Sequence, residues 1–276
     1  MSAAEAAQAA TFDANRARGS VALEVSAVHG RTRRMRVFED GSLRVRFPNC
    51  GDGALEAVTV NTAGGIAGGD RFGFAASVGE GAALSVTTAA AEKVYRSLGA
   101  DACVDVRLDV ANGGRLTWVP QETILFDRAR LRRSFEADLA ADASVLLAEA
   151  IVFGRGAMGE VVEQARVIDR WRVRRAGRLI FADTLRLDGE VARQLGASAG
   201  ARGGTAVATV LIAPGTDEMA SAVRALQDRF AGEVGISAWN AIALARFCAP
   251  DGAALRHDMM AVLAALRVPL PRLWLN

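Results

Sequence analysis

The sequence predicts a mainly β fold, a solenoid-like or long folded sheet that carries α-helices at its C-terminal end. Three observations predict it. From Val21 to about Leu187 apolar residues mostly alternate, as in Leu43-Arg-Val-Arg-Phe47, Val104-Asp-Val-Arg-Leu108 and Trp171-Arg-Val-Arg, which is the two-residue period of half-buried strands. Three segments then stack as a repeat, starting at Phe74, Val106 and Phe135 and ending at Val86, Trp118 and Leu147. Beyond residue 212 the period changes to that of helices.

Each repeat reads as strand, polar or glycine turn, strand, with Asn112-Gly-Gly marking one of the turns. The starts lie 32 and 29 residues apart, a spacing typical of stacked units that bury their inner faces only against neighbours. Gly189 to Gly204 is rich in Gly and Ala and reads as a connection. A helix is expected to start at Thr216-Asp-Glu, with Val223, Leu226 and Phe230 at helical spacing and acidic residues in its first turn. A second helix is expected from Ser237 through Trp239, Ile242 and Arg246 until Pro250. Asp251 caps a third, whose Leu255, Met259, Val262, Leu263 and Leu266 form an apolar stripe that docks onto the β part. The expected organisation is thus a disordered segment 1–20 and one domain over 21–276, split into a β scaffold (21–212) and a helical region (213–276).

Composition narrows the function classes. Of the 276 residues 51% are hydrophobic and 23% charged, a globular balance with ample core. A net charge of +2 is too even for a phosphate-tracking surface, and the clusters Arg31–Arg36 and Arg170–Arg175 read as solvated strand faces, so no nucleic acid is expected. Cys50, Cys103 and Cys248 are odd in number and far apart, which argues against a disulfide framework and for a reducing compartment. Glu5 and Asp13 interrupt the Ala-rich start, and no window is apolar enough to span a membrane. A cytoplasmic protein is expected.

The densest signal is Asn61-Thr-Ala-Gly-Gly-Ile-Ala-Gly-Gly-Asp70, followed by Thr87-Thr-Ala-Ala-Ala-Glu-Lys-Val-Tyr-Arg-Ser97, which holds the chain's one Lys and one Tyr. Two Gly-Gly pairs mark backbone at positive φ or in close approach to a neighbour. A phosphate loop would end in Gly-Lys-Ser/Thr, whereas Asp70-Arg71-Phe72 follows here and the carboxylate repels phosphate. Gly196-Ala-Ser-Ala-Gly200 matches a nucleophile elbow, with His257 and nearby Asp251 or Asp258 to complete a triad, yet it lacks the preceding strand and following helix. A serine hydrolase built on Ser198 and His257 is the alternative reading. His29 and His257 are the two histidines, and Cys-x-x-Cys is missing, so a closed zinc site is not expected. Carboxylates remain: Asp70, Glu92, Glu122, Asp127, Glu149, Glu160 and Asp183 lie in or beside Gly-rich or apolar stretches. Each can pair with one of the many arginines, and as a set they can bind a divalent cation weakly.

These motifs, in this order, resemble the UreD family of urease accessory proteins, also called UreH. The likeness runs through both segments above, then Leu116-Thr-Trp-Val-Pro-Gln-Glu-Thr-Ile-Leu-Phe126, Glu149-Ala-Ile-Val-Phe-Gly-Arg155, Met158-Gly-Glu160, Phe181-Ala-Asp183, Leu255-Arg256 and Pro271-Arg-Leu-Trp274. It covers roughly residues 21 to 276. The resemblance implies a non-enzymatic maturation factor with a β-helical scaffold and C-terminal helices. Its partners would be apo-urease, UreF and, through UreF, the GTPase UreG. It would hold no permanent cofactor and would pass Ni²⁺ along an internal route. Gly64, Gly65, Gly68, Gly69, Thr87, Thr88, Lys93, Tyr95 and Arg96 form the family signature. Asp70, Glu149, Glu160 and Asp183 are assigned to the metal route, and Trp239, Leu255, Arg256, Arg272 and Trp274 to a helical face that meets UreF.

Overall fold

Through the middle of this chain strands pair in parallel with strands one coil away rather than with their neighbours in sequence, so the sheets grow along a solenoid axis, and antiparallel hairpins flank them at both ends. The computed structural model describes residues 15–48 and 54–275. Chain order runs β1 (Arg18–Val28), β2 (Arg31–Gly41), β3 (Leu43–Arg46), β4 (Leu55–Asn61), β5 (Arg71–Val78), β6 (Ala83–Thr88) and β7 (Glu92–Val94). It continues with β8 (Ala102–Val110), β9 (Arg115–Trp118), β10 (Thr123–Leu125), β11 (Arg130–Leu139), β12 (Ser144–Phe153), β13 (Gln164–Arg175) and β14 (Arg178–Glu190). The C-terminal part holds α1 (Val191–Gly196), β15 (Ala206–Ala213), α2 (Asp217–Arg224), β16 (Glu233–Trp239), β17 (Ile242–Ala249) and α3 (Gly252–Ala265).

Two sheets face each other across the core. The first has the order β14-β13-β11-β8-β5-β1-β2 and the second β16-β17-β15-β12-β9-β6-β4-β3, with β10 pairing both β12 and β7. In the first, β1, β5, β8, β11 and β13 are parallel neighbours, closed by antiparallel β2 and β14. The repeat read from sequence is a register: Phe74 pairs with Val106 and Val106 with Phe135, while Val86 pairs with Trp118 and Trp118 with Leu147. The first row extends to Val21 and Trp171. Its side chains meet Trp118 of the second sheet, with ring centroids of Phe74–Trp118 at 5.0 Å and Trp118–Phe135 at 5.9 Å, and within the row Phe135 stacks on Trp171 at 4.7 Å. Such offset and tilted pairs add to the apolar burial of this core.

The outer face of β12, β15 and β17 is covered by helices. Leu255, Met259, Val262 and Leu263 of α3 pack with Leu146, Ala148, Val210 and Phe247. Asp251 caps α3 as expected, its carboxylate accepting from the Ala254 N–H at 2.8 Å, and the Thr216 hydroxyl caps α2, accepting from the Met219 N–H at 3.3 Å.

The expected helix from Ser237 to Arg246 is instead the hairpin β16–β17, joined to β15 of the second sheet. Trp239 pairs with Ile242 around Asn240-Ala241, both at positive φ (47° and 57°), the two-residue turn that matches strand twist and suits Asn. Trp239, Ile242 and Arg246 only coincide with helical spacing. The alternation of Val234, Ile236 and Ala238 gives the true period. The Gly189–Gly204 connection contains the short α1. At the other end, β1 starts at Arg18, three residues ahead of the expected boundary, and Cys50 lies outside the described residues.

Candidate functional site

The two signature segments fold against each other. Ile66 bridges Val94, with the Ile66 N–H donating to the Lys93 carbonyl at 2.7 Å and the Tyr95 N–H to the Ile66 carbonyl at 2.8 Å. Tyr95 lies over the loop, its hydroxyl donating to the Gly64 carbonyl at 2.8 Å and its ring edge-on to Phe126 at 5.1 Å. A Cβ on Gly65, whose φ is +148°, would fall 2.5 Å from the Tyr95 ring, and one on Gly68 would fall 2.0 Å from the Ser97 hydroxyl. Gly65 and Gly68 are therefore close-packing positions, whereas Gly64 turns at a φ of +77° with open space beside it.

Asp70 closes the same loop from beneath. Its buried carboxylate accepts the Ala17 N–H at 2.9 Å and the Ala67 N–H at 2.7 Å, tying the loop to the start of β1. Thr87 is buried, Thr88 caps the turn before β7 through the Ala90 carbonyl at 2.9 Å, and Lys93 and Arg96 are exposed. Glu92 accepts from the Asn61 amide at 2.9 Å, and burial raises its pKa more than this hydrogen bond lowers it.

One coil further, the inward row breaks its apolar pattern. Arg133 on β11 donates to Asp169 on β13 from Nε at 3.0 Å and from Nη2 at 2.5 Å, and its Nη1 donates to Glu149 on β12 in the opposite sheet. The side chains of all three are at most 7% exposed. The Trp118 indole donates to Glu149 at 2.8 Å and the Trp171 indole to Asp169 at 3.4 Å. Burial lifts the Glu149 pKa above its ordinary value despite the guanidinium beside it, as low polarity disfavours the charged carboxylate.

This ion cluster lines a cavity of about 480 Å³ between β12–β15–β17 and β13–β14. At the cavity's other side Asp183 on β14 accepts from Arg246 on β17 at 2.8 Å, in a pair about half exposed on the arginine. Thus Glu149 and Asp183 of the assigned route line one cavity, and the structure brings neither Asp70 nor Glu160 to it. Glu160 holds its own loop, accepting from the Arg155 guanidinium at 2.7 Å and from the Asp127 N–H at 3.3 Å. Of the seven carboxylates singled out in the sequence, five pair with arginine, namely Glu122, Asp127, Glu149, Glu160 and Asp183. No group of three His, Cys, Asp or Glu converges among the described residues. Arg133 and Asp169 escaped sequence reading, although parity betrays them. They sit among the inward Leu131, Phe135, Val167 and Trp171, where a strand otherwise places apolar side chains.

The residues assigned to a partner face divide. Leu255 and Trp274 are buried inside this chain, and Trp239, 40% exposed, ends β16 rather than lying on a helix. Arg256 lies over the Trp274 ring at 3.9 Å and donates to Gln121 at 2.9 Å and Glu122 at 3.3 Å, while the Trp274 indole donates to the Val119 carbonyl at 2.7 Å. Arg272 is exposed beside it. The hydrolase alternative finds no support: Ser198 lies in an exposed turn after α1, and among the described residues no hydrogen bond joins it to the exposed His257.

The family described as UreD urease accessory protein matches residues 17–275. The urease accessory protein UreD of Rhodopseudomonas palustris strain HaA2 is 58% identical over 273 residues, covering 98% of each chain. The protein of the same name from Bradyrhizobium diazoefficiens is 56% identical over 265 residues, covering 96% of each. A β-solenoid with a buried ion cluster at its heart and signature loops packed at its side, this chain belongs to the UreD family of urease accessory proteins.

Proposed function

We propose that this protein is a non-catalytic maturation factor that serves nickel insertion into apo-urease, in the cytoplasm, together with UreF and, through UreF, the GTPase UreG. Ni²⁺ is its cargo and travels through the interior, with no cofactor held permanently. The observation that carries this reading is the cavity of about 480 Å³ that joins the partly buried Asp183 to the buried Glu149. Carboxylate oxygens hold Ni²⁺ more weakly than thiolate or imidazole, so they suit transit better than storage. Asp70 and Glu160, which fix loops, serve the route from outside the cavity. Trp239, Arg256 and Arg272 form the surface that meets UreF, with Leu255 and Trp274 as its buried support. No helix among the described residues is long and apolar enough to cross a membrane.

The test is co-purification of the tagged protein with UreF and apo-urease, scored for complex formation and for urease activity after nickel addition. Asp183→Asn, at the cavity mouth, should leave the complex intact and lower activation several-fold. Normal activation by both Asp183→Asn and Glu149→Gln would remove the internal route, and failure to bind either partner would remove the maturation role.

A further inference from the structure

Arg133 stands in the wall between two cavities. The larger, of about 480 Å³, extends toward Asp183, Glu233 and Arg246, and a smaller one of about 100 Å³ extends toward Thr88, Glu92 and Gln121. Arg133 and Glu149 line both. The guanidinium reaches across the space between the sheets, holding Asp169 beside it and Glu149 opposite. Its row neighbours in the preceding coils are Val104 and Phe72, so an apolar side chain would continue the core. A buried ion triad is commonly no more stable than an apolar replacement of similar volume; stability alone does not account for this one.

We propose that Arg133 is the gate and charge filter of the passage, a reading that rests on the internal route proposed above. With the guanidinium in place the cavities are separate and both carboxylates are engaged. Charge decides what can displace it. Two carboxylates and one guanidinium sum to −1, and a monovalent cation in its place leaves that sum unchanged. A divalent cation brings it to zero, which matters most where water is excluded. A dication entering from the Asp183 side therefore competes for Glu149 and Asp169, the guanidinium turns toward the carboxylates of the larger cavity, and the two cavities join.

The test uses the full chain and Ni²⁺ alone as probe, measured by isothermal titration calorimetry, with urease activation as a second readout. Arg133→Met removes the standing counter-ion and should bind Ni²⁺ at least tenfold more tightly than the parent, while activation falls because the ion is held. Arg133→Lys keeps the charge, loses the two-pronged grip, and should show the same change to a smaller degree; it decides the matter if Arg133→Met does not fold. Arg133→Met with Glu149→Gln restores the sum of −1 and should return Ni²⁺ affinity toward that of the parent. Folded Arg133→Lys with parental affinity and parental activation would overturn the gate. If Asp183→Asn and Glu149→Gln still lose activation in that case, the route stands and the gate alone fails.

Discussion

Asp70 offers a sharp separation between a carboxylate that carries cargo and one that holds backbone. Its side chain is buried, and each oxygen accepts one main-chain N–H, from Ala17 at 2.9 Å and from Ala67 at 2.7 Å. Hydrogen bonds to a charged acceptor contribute about 1.5–3 kcal/mol each, so two set a ceiling of about 6 kcal/mol. Asp70→Ala also relieves the desolvation cost of the carboxylate, which brings the expected loss to about 2–4 kcal/mol. With a urea m-value of about 3 kcal/mol/M, the unfolding midpoint should drop by about 1 M. Asp70→Asn keeps one acceptor and should fall between. Limited proteolysis should register the same change as faster cleavage near Arg16 and Arg18, where the loop lets go of β1. An Asp70→Ala protein with unchanged midpoint and abolished urease activation would refute this reasoning and return the carboxylate to the metal route.

Three further outcomes are expected. Phe135→Ala, at a fully buried ring 4.7 Å from Trp171, should cost about 3–5 kcal/mol in urea unfolding, whereas Phe38→Ala on the exposed edge strand should stay within about 0.5 kcal/mol. Gly65→Ala should destabilise through both its φ of +148° and its clash with Tyr95; adding Tyr95→Ala should recover only the clash, and a double-mutant cycle should find coupling of about 1 kcal/mol or more. For Glu92 the sign follows from burial, which raises its pKa above 4.5. Its protonated form is favoured on folding, so stability is lost as pH rises from 4.5 through the raised value. Glu92→Gln should flatten that part of the stability profile, and an unchanged slope would show that another group sets it.

Much of the scaffold was legible because the evidence for it is local and repeated. Segments starting at Phe74, Val106 and Phe135 share one pattern of strand, turn and strand, and the same three residues are ladder partners. The α3 helix was equally plain, since Asp251 caps an uninterrupted apolar stripe. The β16–β17 hairpin was missed because a short segment satisfies two periods at once, and the alternation of Val234, Ile236 and Ala238 with the turn at Asn240-Ala241 is what discriminates. The ion cluster was half seen. Glu149 drew notice as a carboxylate in an apolar run, but Arg133 was hidden among Arg130, Arg132 and other arginines. What distinguishes it is its side of the strand, which depends on register. Its joining to Asp169, 36 residues on, is fixed by how coils stack rather than by any local spacing.

The row Val21, Phe74, Val106, Phe135, Trp171 crosses five successive coils in one line, and so these residues share a single space. Volume in this interior is a property of the row and not of any strand. A bulkier residue gained in one coil has to be offset by a smaller one in the coil beside it, 29 to 53 positions away in sequence, while its neighbours along the strand stay indifferent. Sequence drift in such a scaffold thus runs across the windings: substitutions become tolerable in pairs separated by one turn of the solenoid.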